Sequence, residues 1–289
     1  MRELLRSLLP HEIAFALLLG ALWLWLAIAA GPFSSPTLIV LALFAAELAV
    51  VGFARTRSSI TAWRIRLGFF LLLMNLTYLA LGSVVPALRG DRVDGLLQRI
   101  DTHLFGAPLP LYLDGVTRPL TSDILSACYF VLFPYIFFSC LRHLWKAREN
   151  LAVSQRFYSG FFTVYAISFA GYVLFPAQGA YLDIPHAFHH ALEGGWMTKF
   201  NDTIVRRGSN RVDVFPSLHV AASAFILFFD CTYARRRYLV YLAPAIGLWI
   251  STIYLRYHYG IDVIAGFAVM AIGLIVSKGW RAVHEEVTT

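Results

Sequence analysis

Apolar residues are gathered into long runs along this chain, and polar residues are concentrated in the segments between the runs. Eight runs are each long enough to cross about 30 Å of hydrocarbon as a helix. They cover residues 12–30, 36–54, 66–87, 123–145, 155–176, 215–233, 238–255 and 259–278. The pattern predicts an all-α, polytopic membrane helical bundle with about eight transmembrane helices. The last two runs nearly touch, and a re-entrant pair is the alternative for them.

The segment between the third and fourth runs has a different pattern. In "DRVDGLLQRIDTHLFG" the apolar residues recur at helical intervals with charged residues between them, at Val93, Leu96, Leu97, Ile100 and Leu104. This pattern predicts an amphipathic helix near 91–105 that lies along the outer membrane surface. The helix is either a plain connector or a lid over the route by which lipid reaches a site.

Composition supports a membrane protein. Of the 289 residues, 58% are hydrophobic, against about 45–50% in soluble domains. The formal charge is +7, but the basic residues are scattered between apolar runs, which argues against nucleic-acid binding.

Cys128, Cys140 and Cys231 lack the spacing of a disulfide framework or a zinc site and are expected to be packing residues. No small-residue cleavage site follows the first run, so it is expected to remain as a span.

The distribution of Lys and Arg predicts the orientation, because cytoplasmic loops carry the excess of these residues. The loops on the side of the two termini hold 15 of the 24 basic residues, and the loops on the other side hold 9. We therefore expect a multi-pass integral membrane protein with cytoplasmic N- and C-termini. The loops after the third, fifth and seventh runs then face the periplasm, the cell exterior or an organelle lumen.

Two short motifs carry residues suited to chemistry. In "STIYLRYHYGIDVIAG", residues 251–266, His258 and Asp262 are four apart and would share one helix face. A carboxylate in that position can hold one ring nitrogen of the histidine and leave the other free as a nucleophile or base. In "VFPSLHVAAS", residues 214–223, His219 stands at the start of the sixth run. The predicted topology puts both histidines at the outer membrane face.

The surroundings of the histidines favour an anion. Pro216 suits the first turn of a helix, and the free backbone N–H groups of such a turn attract negative charge. Several arginines flank the two motifs: Arg206, Arg207, Arg211 and Arg256. Guanidinium groups bind phosphate well, so the sequence predicts a site for the phosphate of a membrane-anchored lipid.

These residues resemble the type 2 phosphatidic acid phosphatase superfamily of membrane lipid phosphatases and phosphotransferases. "PSLH" resembles its second motif, Pro-Ser-Gly-His, and "STIYLRYHYGID" resembles its third, in which Ser-Arg is followed by His-x-x-x-Asp. The resemblance implies that His258 attacks phosphorus to form a phosphohistidine, that Asp262 orients it, and that His219 protonates the departing alcohol. It also implies that Ser217 helps to bind phosphate and that no metal or other cofactor takes part.

The resemblance also implies a domain plan, with departures from the family pattern. Residues 61–289 would form the six-helix core, with the amphipathic segment, and residues 1–60 would add two transmembrane helices.

The chain departs from the family motifs in two places. Thr252 stands where the third motif has arginine, and Arg256 is the nearest substitute. The first motif, Lys followed six residues later by Arg-Pro, is absent between the fifth and sixth runs. Arg118-Pro119 matches only its ending, with Leu111 in the place of lysine, and we treat this as coincidence.

A narrower resemblance concerns the branch of the family. "LFPAQGAYLD" after the fifth run, together with "FPSLH" and "YHYGID", is similar to the branch that contains inositol phosphorylceramide synthases and related bacterial proteins. That branch implies transfer of a head group rather than hydrolysis. Gln178, Tyr181 and Lys199 are candidates to replace the missing first motif. The candidate substrate-binding residues are therefore Ser217, Arg256, Arg211, Gln178, Tyr181, Lys199 and Arg207.

The sequence thus predicts a metal-independent membrane lipid phosphotransferase, with a lipid phosphate as donor and a lipid or polyol alcohol as acceptor. The main alternative is a phosphatase of phosphatidate, phosphatidylglycerol phosphate or a polyprenyl diphosphate. A metal hydrolase and a non-enzymatic lipid transporter are less favoured. Glu47 lies inside the second run, where a carboxylate is costly unless paired or neutral. We expect it to be a protonated structural residue bonded to a neighbouring helix.

Overall fold

The structure, a computed structural model, describes residues 7–279, and no strand occurs within this range. In chain order the α-helices are α1 (Pro10–Ala29), α2 (Ser35–Arg55), α3 (Ile60–Leu88), α4 (Asp94–Phe105), α5 (Leu109–Tyr112), α6 (Pro119–Phe130), α7 (Leu132–Lys146), α8 (Leu151–Leu174), α9 (Ala180–Asp183), α10 (Trp196–Gly208), α11 (Leu218–Tyr233), α12 (Arg235–Tyr254) and α13 (Gly260–Gly279). Turns of 3₁₀ helix lie at Asp114–Val116 and Pro185–Ala187.

Helices occupy all eight predicted runs. Within the described residues, six segments are long and apolar enough to cross a membrane: α1, α2, α3, the α6–α7 segment, α8 and α13. Helix α11 is shorter, with 16 residues, and α12 begins with three consecutive arginines. These helices confirm the predicted fold class, an all-α polytopic membrane protein. The predicted amphipathic helix near 91–105 is also present, as α4.

Two details of the predicted spans are wrong. The third span begins at Ile60 rather than at 66, so Arg66 lies inside α3 and not in a loop. Its guanidinium is buried and forms an ion pair with the Glu12 carboxylate, which allows a charged residue to occupy an apolar helix. The fourth span is interrupted at Val131, where α6 ends and α7 begins.

Serine residues begin several of the helices. The hydroxyl groups of Ser34, Ser59 and Ser217 accept a hydrogen bond from the backbone N–H three residues later, as N-caps do. Because Ser217 is the N-cap of α11, Pro216 precedes the helix. The prediction that Pro216 lies in the first turn is therefore wrong by two positions.

The described chain divides into two compact units. The first consists of residues 7–90, 137–170 and 271–279. Its interior is rich in aromatic contacts, for example those of Phe70 with Phe15 and with Phe162. Glu47 is buried there, and among the described residues neither of its carboxylate oxygens has a hydrogen-bond partner. The expected bond to a neighbouring helix is absent.

The second unit consists of residues 91–136 and 171–270 and contains both chemical motifs. One cluster of its core includes Leu97 of α4, Val214 and Tyr259. Another includes Tyr129 of α6, Tyr254 and Tyr257. The segments before α11 and α13 are therefore packed into the core of this unit. That packing fixes the positions of the histidines.

Some sequence predictions fall partly outside the described range. Arg2, Arg6 and Arg281, which contribute to the predicted cytoplasmic charge, are outside it. The division into residues 1–60 and 61–289 stays a prediction, and both of its ends extend beyond the described residues.

Candidate functional site

A short turn between α12 and α13 carries His258. The backbone carbonyl of Thr252 accepts hydrogen bonds from the N–H groups of Tyr257 and His258, at 3.1 and 3.0 Å. The turn is completed by Arg256 in a left-handed conformation, with φ of 66°, which is unfavourable for a residue with a Cβ atom. Contacts of the Arg256 side chain, described below, hold this conformation.

His258 and Asp262 contact each other at the start of α13. The Nδ1 atom of His258 lies 3.4 Å from Oδ2 of Asp262, an ion-pair distance that is longer than a good hydrogen bond. The same carboxylate oxygen accepts the N–H of Tyr259 at 2.7 Å. Both side chains are almost fully buried. The carboxylate therefore has a fixed position beside the imidazole.

His219 lies close to this pair, in the first turn of α11. The centroids of its ring and the His258 ring are 6.1 Å apart. Tyr129 of α6 stacks on the His219 ring at 4.3 Å, and its hydroxyl lies 3.4 Å from Nδ1. Among the described residues, the buried Nε2 of His219 has no hydrogen-bond partner. The structure thus brings together all three residues predicted to be catalytic.

Helices α11 and α13 are joined tightly where the histidines lie. The N–H of Ser217 donates to the backbone carbonyl of Asp262 at 3.0 Å. Gly266, one turn further along α13, faces the Ser217 carbonyl so closely that a Cβ atom would lie 2.7 Å from that oxygen. Ser217 is fully buried and its hydroxyl caps α11, so this predicted phosphate ligand already has a structural role.

The "LFPAQGAYLD" segment packs directly on the His258 turn. Gly179 has φ of 85°, and a Cβ atom at this position would collide with the carbonyl oxygen of Tyr257. The N–H of Tyr181 donates to the Arg256 carbonyl at 2.9 Å. The backbone N–H of Gln178 is held by the Asp94 carboxylate. A glycine in the left-handed region is what permits this close approach.

Arg256 is held by several partners rather than being free in solution. Its guanidinium donates to Asp114 at 2.9 Å and to the His190 carbonyl at 2.7 Å, and it lies over the Phe188 ring. Burial alone would raise the pKa of the Asp114 carboxyl, but hydrogen bonds from His189 and His190 and the charge of Arg256 hold that pKa below its usual range. Burial lowers the pKa of Arg256, which the Asp114 charge opposes.

A cavity of about 610 Å³ opens beside this turn. Its walls combine basic, acidic and aromatic side chains, including Lys199, Arg206, Arg256, Glu193, Asp202, Tyr181 and Tyr257. Burial raises the pKa values of Tyr181 and Tyr257, so both phenols stay protonated. The cavity is suited to a polar, charged group with several hydrogen-bonding atoms.

Tyr257 lies next to both the cavity and the ring that covers His219. It lines the cavity, and its ring also lies 5.1 Å from that of Tyr129, which covers His219. Neither His219 nor His258 is part of the cavity wall. Tyr257 therefore links the cavity wall to the aromatic ring that covers His219.

The predicted binding residues do not all lie in the cavity. Tyr181, Lys199 and Arg256 line it, whereas Arg207 and Arg211 are exposed and outside its wall. Arg206 contributes to the wall in place of Arg207, and its guanidinium is paired with Asp202 at 2.8 Å. Because α10 presents adjacent residues in different directions, the sequence alone did not distinguish the two arginines.

Several residues of the site were not identified from the sequence. Tyr129, Asp114 and Asn201 come from separate parts of the chain, and each contacts one of the motif residues or the adjacent Tyr257. The sequence around Asp114 predicts no role for it. Its signal, a single buried carboxylate opposite Arg256, exists only in three dimensions. Within the described range no group of three or more His, Cys, Asp or Glu side chains is arranged to hold a metal ion.

Comparison with known proteins agrees with the resemblance seen in the sequence motifs. The sequence profile of the PAP2 superfamily matches residues 96–276, more than half of the chain. The chain is also similar to a phosphoinositol dihydroceramide synthase of Bacteroides thetaiotaomicron, at 28% identity over 200 residues that cover 61% of this chain and 64% of that protein. The matched part is thus less than two thirds of that relative's length. No solved structure matches the chain.

Proposed function

Because the chain belongs to the PAP2 superfamily, we propose that it is a membrane lipid phosphotransferase that moves a phosphoryl head group from a lipid donor to an alcohol. Membership confirms the resemblance drawn from "PSLH" and "YHYGID". Together with the relative, it supports lipid phosphotransferase or phosphatase activity in a membrane enzyme. In our proposal the reaction passes through a phosphohistidine on His258 and takes place at the extracytoplasmic face.

The observation that carries this proposal is the His219–His258–Asp262 geometry. In the first step, Nε2 of His258 attacks phosphorus, a P–N bond forms and the P–O bond to the donor alcohol breaks. The Asp262 carboxylate, 3.4 Å from Nδ1 of His258, favours the tautomer with hydrogen on Nδ1 and balances the positive charge on the phosphorylated ring. His219, with Nδ1 directed at Tyr129, is stabilised as the imidazolium by the negative charge of the bound phosphate. It gives its Nε2 proton to the departing oxygen.

The second step reverses these roles. The acceptor alcohol attacks phosphorus, and its proton passes to the now neutral His219. The P–N bond breaks and His258 is regenerated. Each histidine therefore returns to its initial protonation state, and the reaction needs no other reactant than the two lipids.

The cavity supports a polyol phosphate as the head group. Lys199, Arg206 and Arg256 supply positive charge for phosphate, and Glu193 and Asp202 can accept hydrogen bonds from hydroxyl groups. The printed name of the bacterial relative refers to phosphoinositol and dihydroceramide. We therefore propose a phosphoinositol-type donor lipid and a ceramide-type alcohol as acceptor.

Tyr257 supports transfer over hydrolysis. Tyr257 lines the polar cavity, and its ring lies 5.1 Å from Tyr129, which stacks on His219. We propose that this ring limits the access of water from the cavity to a phosphohistidine. Exclusion of water prevents hydrolysis of a reactive intermediate. The donor displaces this ring as its phosphate moves to His258.

The test uses the purified full chain in detergent with a chelator present. Phosphatidylinositol labelled in its phosphoinositol group is supplied with and without dihydroceramide, and the products are separated by thin-layer chromatography. Wild type is compared with His258→Ala, His219→Ala and the control His186→Ala, which changes an exposed histidine of a 3₁₀ turn. We expect wild type and the control to form a labelled lipid product only when the alcohol is present.

Three results would contradict the proposal. Release of water-soluble label at the same rate with and without the alcohol would make the protein a hydrolase. Activity retained in His258→Ala would remove the phosphohistidine. Loss of activity on chelation in wild type would favour a metal enzyme.

A further inference from the structure

Helix α4 carries three polar side chains that point into the second unit instead of into solvent. Asp94, Gln98 and Asp101 are spaced four and three residues apart, so they share one face of the helix. Asp94 and Asp101 are only 2% and 0% exposed. A buried carboxylate is unfavourable unless hydrogen bonds satisfy it, and both have such bonds. The helix is therefore attached by polar contacts as well as by its apolar face.

Asp101 binds the start of the helix that follows His258. Its two carboxylate oxygens accept the backbone N–H groups of Gly260 and Ile261, both at 2.8 Å. The remaining N–H groups of the first turn of α13 are also bonded, that of Tyr259 to the Asp262 carboxylate and that of Asp262 to the Tyr259 carbonyl. Two negative charges at this helix start are favoured by the helix dipole. The start of α13 thus has no free donor for a phosphate.

The hydrogen bonds of Asp101 affect the direction in which the Asp262 carboxylate points. Asp262 Oδ2 accepts the Tyr259 N–H at 2.7 Å and lies 3.4 Å from Nδ1 of His258, and among the described residues Oδ1 of Asp262 has no hydrogen-bond partner. Without Asp101, the N–H groups of Gly260 and Ile261 would be buried donors without an acceptor, and Asp262 is the acidic group in the same helical turn. An unsatisfied buried N–H is strongly unfavourable. Asp262 would then turn toward the backbone and away from the imidazole.

Asp94 and Gln98, the other two polar side chains of this face, bind the segment that packs on the His258 turn. The Asp94 carboxylate accepts the N–H groups of Gln178 and Gly179. Gln98 donates to Asp183, which also accepts the Tyr259 hydroxyl at 3.0 Å. Helix α4 therefore contacts both the "QGAYLD" segment and the "YHYGID" segment.

We propose that Asp101 is a positioning residue for catalysis: by capping the start of α13 it keeps the Asp262 carboxylate directed at His258. This inference rests on the proposed function, in which Asp262 orients the nucleophile. It assigns a role to α4 that neither a plain surface connector nor a lid would have.

The test compares Asp101→Asn with wild type and with Thr102→Ala, which alters the next, exposed residue of the same helix. The Asp101 carboxylate also accepts the Leu109 N–H at 3.0 Å. The amide has only one acceptor oxygen, so at least one of the three N–H groups loses its bond. We expect kcat and the rate of labelled phosphoenzyme formation to fall about 10- to 100-fold, as small misplacements of catalytic groups produce. KM for the donor should change little, the thermal unfolding temperature should fall because a buried donor is left without a partner, and Thr102→Ala should resemble wild type.

Hydrogen exchange of the backbone amides of residues 260 and 261, followed by mass spectrometry, tests the cap independently of activity. It should be faster in Asp101→Asn than in wild type and Thr102→Ala. If Asp101→Asn does not fold, Asp101→Glu, which keeps the charge but displaces it by one methylene, should fold and show a smaller loss of kcat.

The two proposals can fail separately. Unchanged exchange, or a rise in KM without a fall in kcat, would overturn the role of Asp101 while wild type remains an active phosphotransferase. Wild type that forms no phosphoenzyme, with exchange still dependent on Asp101, would overturn the proposed function and leave only a structural cap.

Discussion

At the scale of single residues, Tyr257 faces two different environments. It lines the polar cavity, and its ring lies 5.1 Å from that of Tyr129, which stacks on His219. If this ring keeps water from the phosphohistidine, Tyr257→Ala will raise the share of label released as water-soluble product relative to label transferred to alcohol. Tyr257→Phe keeps the ring and loses only the 3.3 Å contact with Asn201, so its product ratio should stay near that of wild type. Equal ratios in all three proteins would contradict the barrier.

Asp114 gives a prediction about pH. Its pKa in the folded protein is lowered by bonds from His189 and His190 and by Arg256, so the folded state favours the ionised form. The stability this provides is fully present above the unfolded-state pKa, about 4, and is lost as pH falls through the lower folded-state pKa. Asp114→Asn should therefore unfold at a lower temperature than wild type between pH 5 and 8, and the difference should shrink below about pH 4.

Thermal unfolding in detergent at several pH values measures this difference. Glu149→Gln is the matched control, because Glu149 is exposed and pairs with Lys146 at 3.5 Å, and such surface pairs add little stability. A wild-type advantage over Asp114→Asn that stays constant down to pH 3 would show that the carboxylate charge is not its source.

The sequence was sufficient to predict that His219, His258 and Asp262 lie close together, because their signals are local. Each lies at the start of an apolar run, and two of them have the spacing of one helical turn. Asp101 and Asp114 were not selected, since their partners are 159 and 142 residues away in the chain. Nothing in the local pattern distinguishes a carboxylate that caps a distant helix from one that is solvated.

At the scale of helices, hydrophobic periodicity predicted the eight segments, but not all of their ends. Helix α3 extends six residues before the predicted start because Glu12 neutralises Arg66, and that pairing joins residues 54 apart. The start of α11 was misjudged for a local reason: both Ser217 and Pro216 suit a helix start. Only the structure shows that the serine is the cap.

The close contact of α11 with α13 gives a prediction at the same scale. Gly266→Ala would place a methyl group 2.7 Å from the Ser217 carbonyl and 3.0 Å from Val220 Cβ, and backbone cannot move aside as a flexible side chain can. The helices must separate, which moves His219 away from His258. We expect activity to fall about tenfold or more and the unfolding temperature to drop, because overpacking is destabilising.

Gly52→Ala is the control for this change, since a Cβ atom at Gly52 in α2 would meet nothing within 4 Å. It should leave both activity and unfolding temperature close to wild type. Full activity in Gly266→Ala would mean that the distance between the two histidines is not critical.

At the scale of the whole molecule, the site and the densest basic cluster lie at opposite ends of one helix. His219 is in the first turn of α11, and Arg235–Arg237 follow its last residue. The 16 residues between these ends correspond to about 24 Å of helix. If the arginines are cytoplasmic, as the distribution of basic residues predicts, the histidines lie near the opposite membrane face.

Cysteine labelling in intact cells tests this orientation. In a chain whose Cys128, Cys140 and Cys231 are replaced by serine, Lys199→Cys and Arg236→Cys each put one thiol at an exposed basic position. Lys199 lines the cavity and Arg236 lies at the arginine cluster. A membrane-impermeant maleimide should label position 199 in intact cells and position 236 only after permeabilisation. The reverse result would put the cavity on the cytoplasmic side, so the donor lipid would have to come from the inner leaflet.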